Sequence, residues 1–138
     1  KGVDTGDILE QVEIPITKDE TSSTLYKKVN IAHTDLIEKI WPKIIENSLV
    51  GEKQNESQAT YWEGRKPKDG EIKPNNMTVE EADRLVRATT KPYPGAFILQ
   101  NNKKVIIWSG TKNEDIKGMK IVCKDGIFTA INTETLEI

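Results

Sequence analysis

Apolar positions change period along this chain, and each change predicts an element. Ile8, Val12, Ile14 and Ile16 share one parity, with Glu10 in the gap, while Leu9, Gln11 and Glu13 take the other. That alternation predicts a strand over 8–16. Pro15 places its far end at a sheet edge or strand end, because proline has no amide hydrogen to give a ladder. The period then lengthens. Leu25, Val29, Ala32, Leu36, Ile37, Ile40, Ile44 and Ile45 form a wide stripe at helical spacing. Thr21, Ser22 and Ser23 offer N-caps for a helix starting near Thr24. Pro42 should kink or divide that helix, and Gly51 should end it. Residues 52–58 are polar and read as a linker. Tyr61 to Pro74 reads as extended, with a turn at Lys68-Asp69-Gly70. Thr78-Val79-Glu80-Glu81 is a capping box opening a helix to about Ala88, with Val79, Ala82, Leu85 and Val86 on one face.

Two prolines and a glycine make Thr89–Gly95 a rigid loop, and the chain beyond is β-like. Segments 96–100 and 103–109 flank Asn101-Asn102, a two-residue hairpin turn suited to asparagine's tolerance of positive φ. Segments 119–123 and 127–131 flank Lys124-Asp125-Gly126, a second hairpin, and 136–138 adds a short last strand. The fold class is α+β, ending in a small antiparallel sheet or partly open barrel with one helix packed on it. Trp41 and Trp108 lie on apolar faces and are expected in the core. The sequence has no internal repeats.

Composition narrows the class. The chain has 138 residues, a net charge of −2 and 30% charged residues, which predicts a soluble protein of one domain or one and a half. No apolar run approaches the ~18 residues of a membrane span, and the N-terminus has no signal-peptide pattern. Cys123 is the only cysteine, read as a small buried residue. The absence of a disulfide framework suits a reducing, cytoplasmic compartment. No Cys/His/carboxylate cluster has metal-site spacing, so no metal is assigned. Residues 1–59 carry −4 and residues 60–138 carry +2, far from the basic stripe of a dedicated nucleic-acid surface.

The densest candidate chemistry is at the start. In Val3-Asp4-Thr5-Gly6-Asp7-Ile8-Leu9 an acidic residue sits in a turn between Gly2 and Gly6, where glycine permits conformations that a side chain penalises. Read from the residues alone, Asp4 is a turn-capping carboxylate, and Asp7 is its rival for any catalytic role. At fixed distances follow Ile14-Pro15-Ile16, Asp19-Glu20-Thr21, Arg65-Lys66-Pro67-Lys68-Asp69-Gly70-Glu71-Ile72, Arg87 and Tyr93-Pro94-Gly95-Ala96-Phe97. This ordered set resembles the folate-dependent formyltransferases, the family of methionyl-tRNA formyltransferase and the sugar-nucleotide N-formyltransferases. The likeness covers nearly the whole chain and fades after about Trp108.

The resemblance implies the tail of a Rossmann-like formyltransferase domain, a strand and a long helix, over residues 1–51. A linker over 52–60 and a small β-barrel, OB-like C-terminal domain over 61–138 complete the division. It implies 10-formyltetrahydrofolate as formyl donor, with Asp4 orienting a histidine and relaying protons, and with Val3, Thr5, Gly6 and Asp7 at the folate. The family's Asn and its His-Pro-Ser-Leu-Leu-Pro type motif are not in this sequence. The expectation is therefore the C-terminal half of an enzyme, inactive alone. His33, the only histidine, lies in a helical stretch and reads as structural or exposed. Arg87, at a helix end, is explained by the helix dipole alone.

The acceptor divides the readings. Arg65 could grip a diphosphate bidentately, or be a solvated linker charge. Trp62 and Tyr61 could stack on a base or sugar, or pack an interface. The weak charge favours an amino-sugar nucleotide over tRNA, since a tRNA surface needs several phosphate contacts. An excised binding domain without activity is the reading from another class. No membrane partner is expected, and homodimerisation is left open.

Overall fold

The computed structural model describes residues 3–137, and these divide into two compact units. One comprises Lys1–Ile16 with Tyr26–Gly64, the other Thr17–Leu25 with Arg65–Ile138. Helix α1 (Ser22–Ile45) begins in the second and continues in the first. The second unit holds α2 (Val79–Thr89) and four strands, β1 (Ala96–Gln100), β2 (Lys103–Thr111), β3 (Met119–Cys123) and β4 (Gly126–Glu137). Single 3-10 turns cover Glu56–Gln58, Pro67–Gly70 and Pro74–Asn76.

The strands form one antiparallel sheet in the order β1-β2-β4-β3. Asn101 (φ 52°) and Asn102 (φ 59°) both take the left-handed conformation, so β1 and β2 are joined by the primed two-residue turn that matches strand twist. The second hairpin closes with Cys123 opposite Gly126. Of the short strand expected at 136–138, Leu136 and Glu137 are instead the end of β4, which is twelve residues long because it pairs with β3 at its start and β2 along its length, and Ile138 lies outside the described residues. Register shifts on either side of Ser109 bend β2. The sheet curls into a half-barrel, the expected small antiparallel domain.

The concave face is filled by Phe128, Ile107, Ile121, Cys123 and Ala130, with Ala82 and Val86 of α2 packed on them. Cys123 is buried, as expected, and burial pushes its thiol pKa up. Gly110 makes the packing feasible: a Cβ there would lie 2.2 Å from Cζ of Phe128. The capping box of α2 forms as read. Thr78 Oγ1 accepts from Glu81 N, and Glu81 Oε2 accepts from Thr78 N at 2.8 Å. The β3–β4 turn completes the cap, Asp125 accepting from Val79 N at 2.8 Å.

The first unit departs from the periodicity. The strand expected over 8–16 is a single antiparallel bridge between Ile8 and Glu52. A ladder needs a neighbour, and among the described residues only the segment at Glu52 supplies one. Helix α1 is one piece, because Pro42 stands in its last turn, where little remains to interrupt. It ends at Ile45 rather than Gly51. Asn47 (φ 51°) supplies the left-handed residue, with Ser48 N bonding Lys43 O and Asn47 N bonding Ile44 O. Trp41, expected in the core, is 56% exposed, and Ile31, Ile37 and Ile45 are exposed beside it on the helix. Along the stripe itself Ala32 is buried and Leu25, Val29, Leu36 and Ile40 are half-buried, while Ile37, Ile44 and Ile45 are exposed. Trp108 is half-buried, its Nε1 donating to Glu134 at 3.2 Å.

Gly110→Ala should destabilise the second unit by about 1–3 kcal/mol or more through overpacking against Phe128. Urea unfolding followed by tryptophan fluorescence measures it, and an unchanged midpoint would show that the ring can yield.

Candidate functional site

The Asp4 turn is built by residues that sequence patterning left in the linker. Asp4 takes a positive φ of 60° itself, a conformation that asparagine and aspartate tolerate better than most residues. Gly2 lies outside the described residues, and Gly6 needs no such conformation. Gln54 Nε2 donates to the carbonyls of Asp4 (2.8 Å) and Gly6 (2.6 Å), fixing the turn's curvature. Ile8 and Glu52 exchange two backbone hydrogen bonds of 2.8 Å. Gly51 allows this approach, since a Cβ there would come within 2.6 Å of Cβ of Asp7. Lys39 pairs with Glu10 at 2.8 Å, and this bond first, then one from Gln11, holds the Glu10 carboxyl below its usual range.

The turn therefore presents Asp4 and Asp7 as exposed carboxylates, with Val3 89% exposed beside them and Thr5 and Gly6 also at the surface. His33 is exposed on α1. Trp62 and Tyr61 are 84% and 88% exposed, in the same unit as the turn. Arg65 falls in the other unit. Gln54 was missed because nothing distinguishes one polar residue in a polar run.

In the second unit a cleft of about 760 Å³ opens between α2, the Pro67–Gly70 turn and the loop before β1. Pro67, Met77, Leu85, Ala88 and Pro94 make its walls mostly apolar, and Tyr93 lines it. Five charged side chains border it, and the two acids are committed locally. Asp69 Oδ2 accepts from Lys66 N at 2.7 Å. Glu81 caps α2, and Thr78's backbone bond first, then its hydroxyl, holds the Glu81 carboxyl below the ordinary range against a smaller opposing effect of desolvation. Arg65, Lys66 and Arg84 form no ion pair with a described carboxylate.

Arg87 does more than complement a helix dipole. Its Nε donates to Asp83 at 2.9 Å, and its Nη1 to the carbonyl of Glu20 at 2.9 Å. Ser22 Oγ donates to Thr90 O at 2.7 Å, and Ser23 Oγ bonds Lys91 O. These contacts fasten Thr17–Leu25 to the β-unit across 67–69 residues of sequence, a separation at which no local pattern could reveal them.

Residues 65–138 match the family described as formyl transferase, C-terminal domain. Among curated relatives, the bifunctional polymyxin resistance protein ArnA of Wigglesworthia glossinidia brevipalpis is 39% identical over 108 residues, 78% of this chain and 16% of that protein. A methionyl-tRNA formyltransferase of Lactobacillus gasseri is 36% identical over 108 residues, 78% of this chain and 34% of its own length. A 4-N formyltransferase from Francisella tularensis shares the fold, with a TM-score of 0.65 and 22% identity over 99% of this chain and 48% of that structure. The chain belongs to the formyltransferase family through its C-terminal domain, and it spans only about a third or less of these curated relatives' lengths. Among the described residues, no helix is long and apolar enough to cross a membrane and no group of three or more His, Cys, Asp or Glu could hold a metal ion.

Arg87→Ala should free Thr17–Leu25 while leaving the sheet intact, since a hydrogen bond to a charged group contributes about 1.5–3 kcal/mol. Amide exchange measures it. Faster exchange confined to 17–25 is the expected pattern, whereas unchanged protection there would assign the fastening to Ser22 and Ser23.

Proposed function

We propose that this chain is part of an N-formyltransferase that moves a formyl group from 10-formyltetrahydrofolate to the amine of an amino-sugar nucleotide. The chain divides into the end of the catalytic domain (1–51), a linker (52–60) and the C-terminal domain (61–138). The amine attacks the formyl carbon and gives a tetrahedral oxyanion. Collapse expels the folate nitrogen, which takes up a proton as the amine loses one. Asp4 is the carboxylate that orients the family's histidine and relays those protons. Its exposure on a turn braced by Gln54 supports that role. Val3, Thr5, Gly6 and Asp7 contribute to the folate side, Val3 by exposed apolar surface.

The observation that carries the choice of acceptor is the cleft beside Arg65. It is concave and mostly apolar, with cations at its border, which suits a small anionic molecule better than a nucleic-acid backbone. Residues 65–138 hold thirteen Lys/Arg against ten Asp/Glu, a modest excess for a tRNA surface. The comparable identity to a methionyl-tRNA formyltransferase keeps aminoacyl-tRNA as the second reading.

In the complete enzyme, Asp4→Asn should lower turnover roughly 10²–10⁴-fold without loss of stability, because an amide cannot take the proton. Steady-state kinetics with a melting curve test this, and near-normal turnover would remove Asp4 from the reaction. The acceptor is tested by offering the complete enzyme an amino-sugar nucleotide and methionyl-tRNA side by side. Formylation of the tRNA alone, with steep salt dependence, would overturn the sugar-nucleotide reading.

A further inference from the structure

We infer that the cleft between α2 and the Pro67–Gly70 turn is a nucleoside-diphosphate site, with Arg65 and Arg84 gripping the phosphates and the apolar wall receiving the nucleoside. The inference deepens the sugar-nucleotide reading and rests on it. It adds Arg84 and the α2 wall, and it makes nucleotide binding a property of the β-containing unit by itself.

The charge arrangement is the first argument. Arg65, Lys66 and Arg84 border one cleft with Asp69 and Glu81. Asp69 is oriented by the Lys66 amide and Glu81 by Thr78, and three cations against two carboxylates leave the border with one net positive charge. No described carboxylate lies within ion-pair distance of any of the three cations. Two guanidiniums offer planar forks that match phosphate oxygens, a geometry that a lysine cluster on an open surface lacks.

Shape is the second argument. The volume of about 760 Å³ lies within the range of small-molecule pockets, roughly 300–1,000 Å³. Met77, Leu85, Ala88 and Pro94 supply apolar walls that a bare polyphosphate would not need and a base with its ribose would. A single RNA strand is instead tracked by an open basic groove. Arg84 stands one residue before Leu85 and four before Ala88, so α2 places the cation and the apolar wall together. The Thr78–Glu81 box and the Asp125 cap fix that helix against the sheet.

Titration of the 138-residue chain with uridine diphosphate, followed by calorimetry and by amide NMR shifts, tests the site. Saturable binding is expected, with shifts clustered on 65–70, 84–88 and 93–95. Arg65→Ala and Arg84→Ala should each weaken it about tenfold or more, the scale of a lost charged hydrogen bond. Lys103→Ala, which breaks a pair with Glu137 on the sheet, should leave it unchanged. Uridine and inorganic pyrophosphate should each bind more weakly than the diphosphate. No saturable binding, binding by both arginine variants as tight as by the unsubstituted chain, or shifts elsewhere would overturn the assignment. So would binding of a short RNA with a steep salt slope where uridine diphosphate does not bind. Turnover by the complete enzyme separates this failure from that of the proposed function. Formylation of an amino-sugar nucleotide, with the chain failing to bind uridine diphosphate, would sink the cleft assignment and leave the acceptor standing. Binding by the chain, with formylation of tRNA only, would sink the acceptor.

Discussion

The packing of Phe128 into the space beside Gly110 is the contact on which the β-containing unit depends. Phe128 is fully buried, and the glycine opposite leaves no room for another side chain. With the register shifts around Ser109, this contact lets β2 and β4 curl instead of lying flat. The curl creates a concave face on which α2 packs through Ala82 and Val86. Everything proposed for the cleft follows from where α2 then lies. Its buried face sets its rotation, and its rotation puts Arg84, Leu85 and Ala88 on the cleft side. Arg87 meanwhile reaches the Glu20 carbonyl.

The Asp4 turn is held by a different kind of force. Apolar burial is slight there, and the shape comes from hydrogen bonds: Gln54 to two carbonyls, and Ile8 with Glu52. Such a turn is defined in geometry and accessible in surface, the combination that suits a group taking part in proton transfer. It is also sensitive to substitutions that leave the core untouched, because a lost amide at residue 54 would release two carbonyls at once.

How much could be read from the sequence differs between the two units for a physical reason. In residues 78–137 local signals agree with tertiary packing. The capping box at Thr78, the Asn101-Asn102 turn and the second hairpin stand where patterning placed them, while β2 runs two residues further, Trp108 is only half-buried and β4 is longer than expected. That miss arose because Asn132 and the alternating polar residues after it pair with β2 without burying a face. In residues 3–64 the pattern and the structure part: the strand expected over 8–16 is a single bridge between Ile8 and Glu52. The 8–16 alternation finds no ladder to join, and Trp41, outside the α1 stripe, is exposed. The candidate residues Asp4 and Arg65 were legible as motifs. Gln54, Arg84 and the Arg87–Glu20 bond were not, since each acts through a three-dimensional neighbourhood that no spacing encodes.

The strand order carries a kinetic meaning. Each outer strand, β1 and β3, pairs with the strand next to it in sequence, β2 and β4 respectively, through a two-residue turn. Both hairpins can therefore close within microseconds, as short loops do. The seam between β2 and β4 is the one slower association left, because its partners lie further apart in sequence. A polypeptide emerging from the ribosome would present the first hairpin complete while the second is still being made. The exposed edge of β2 is then the surface most in need of protection during synthesis.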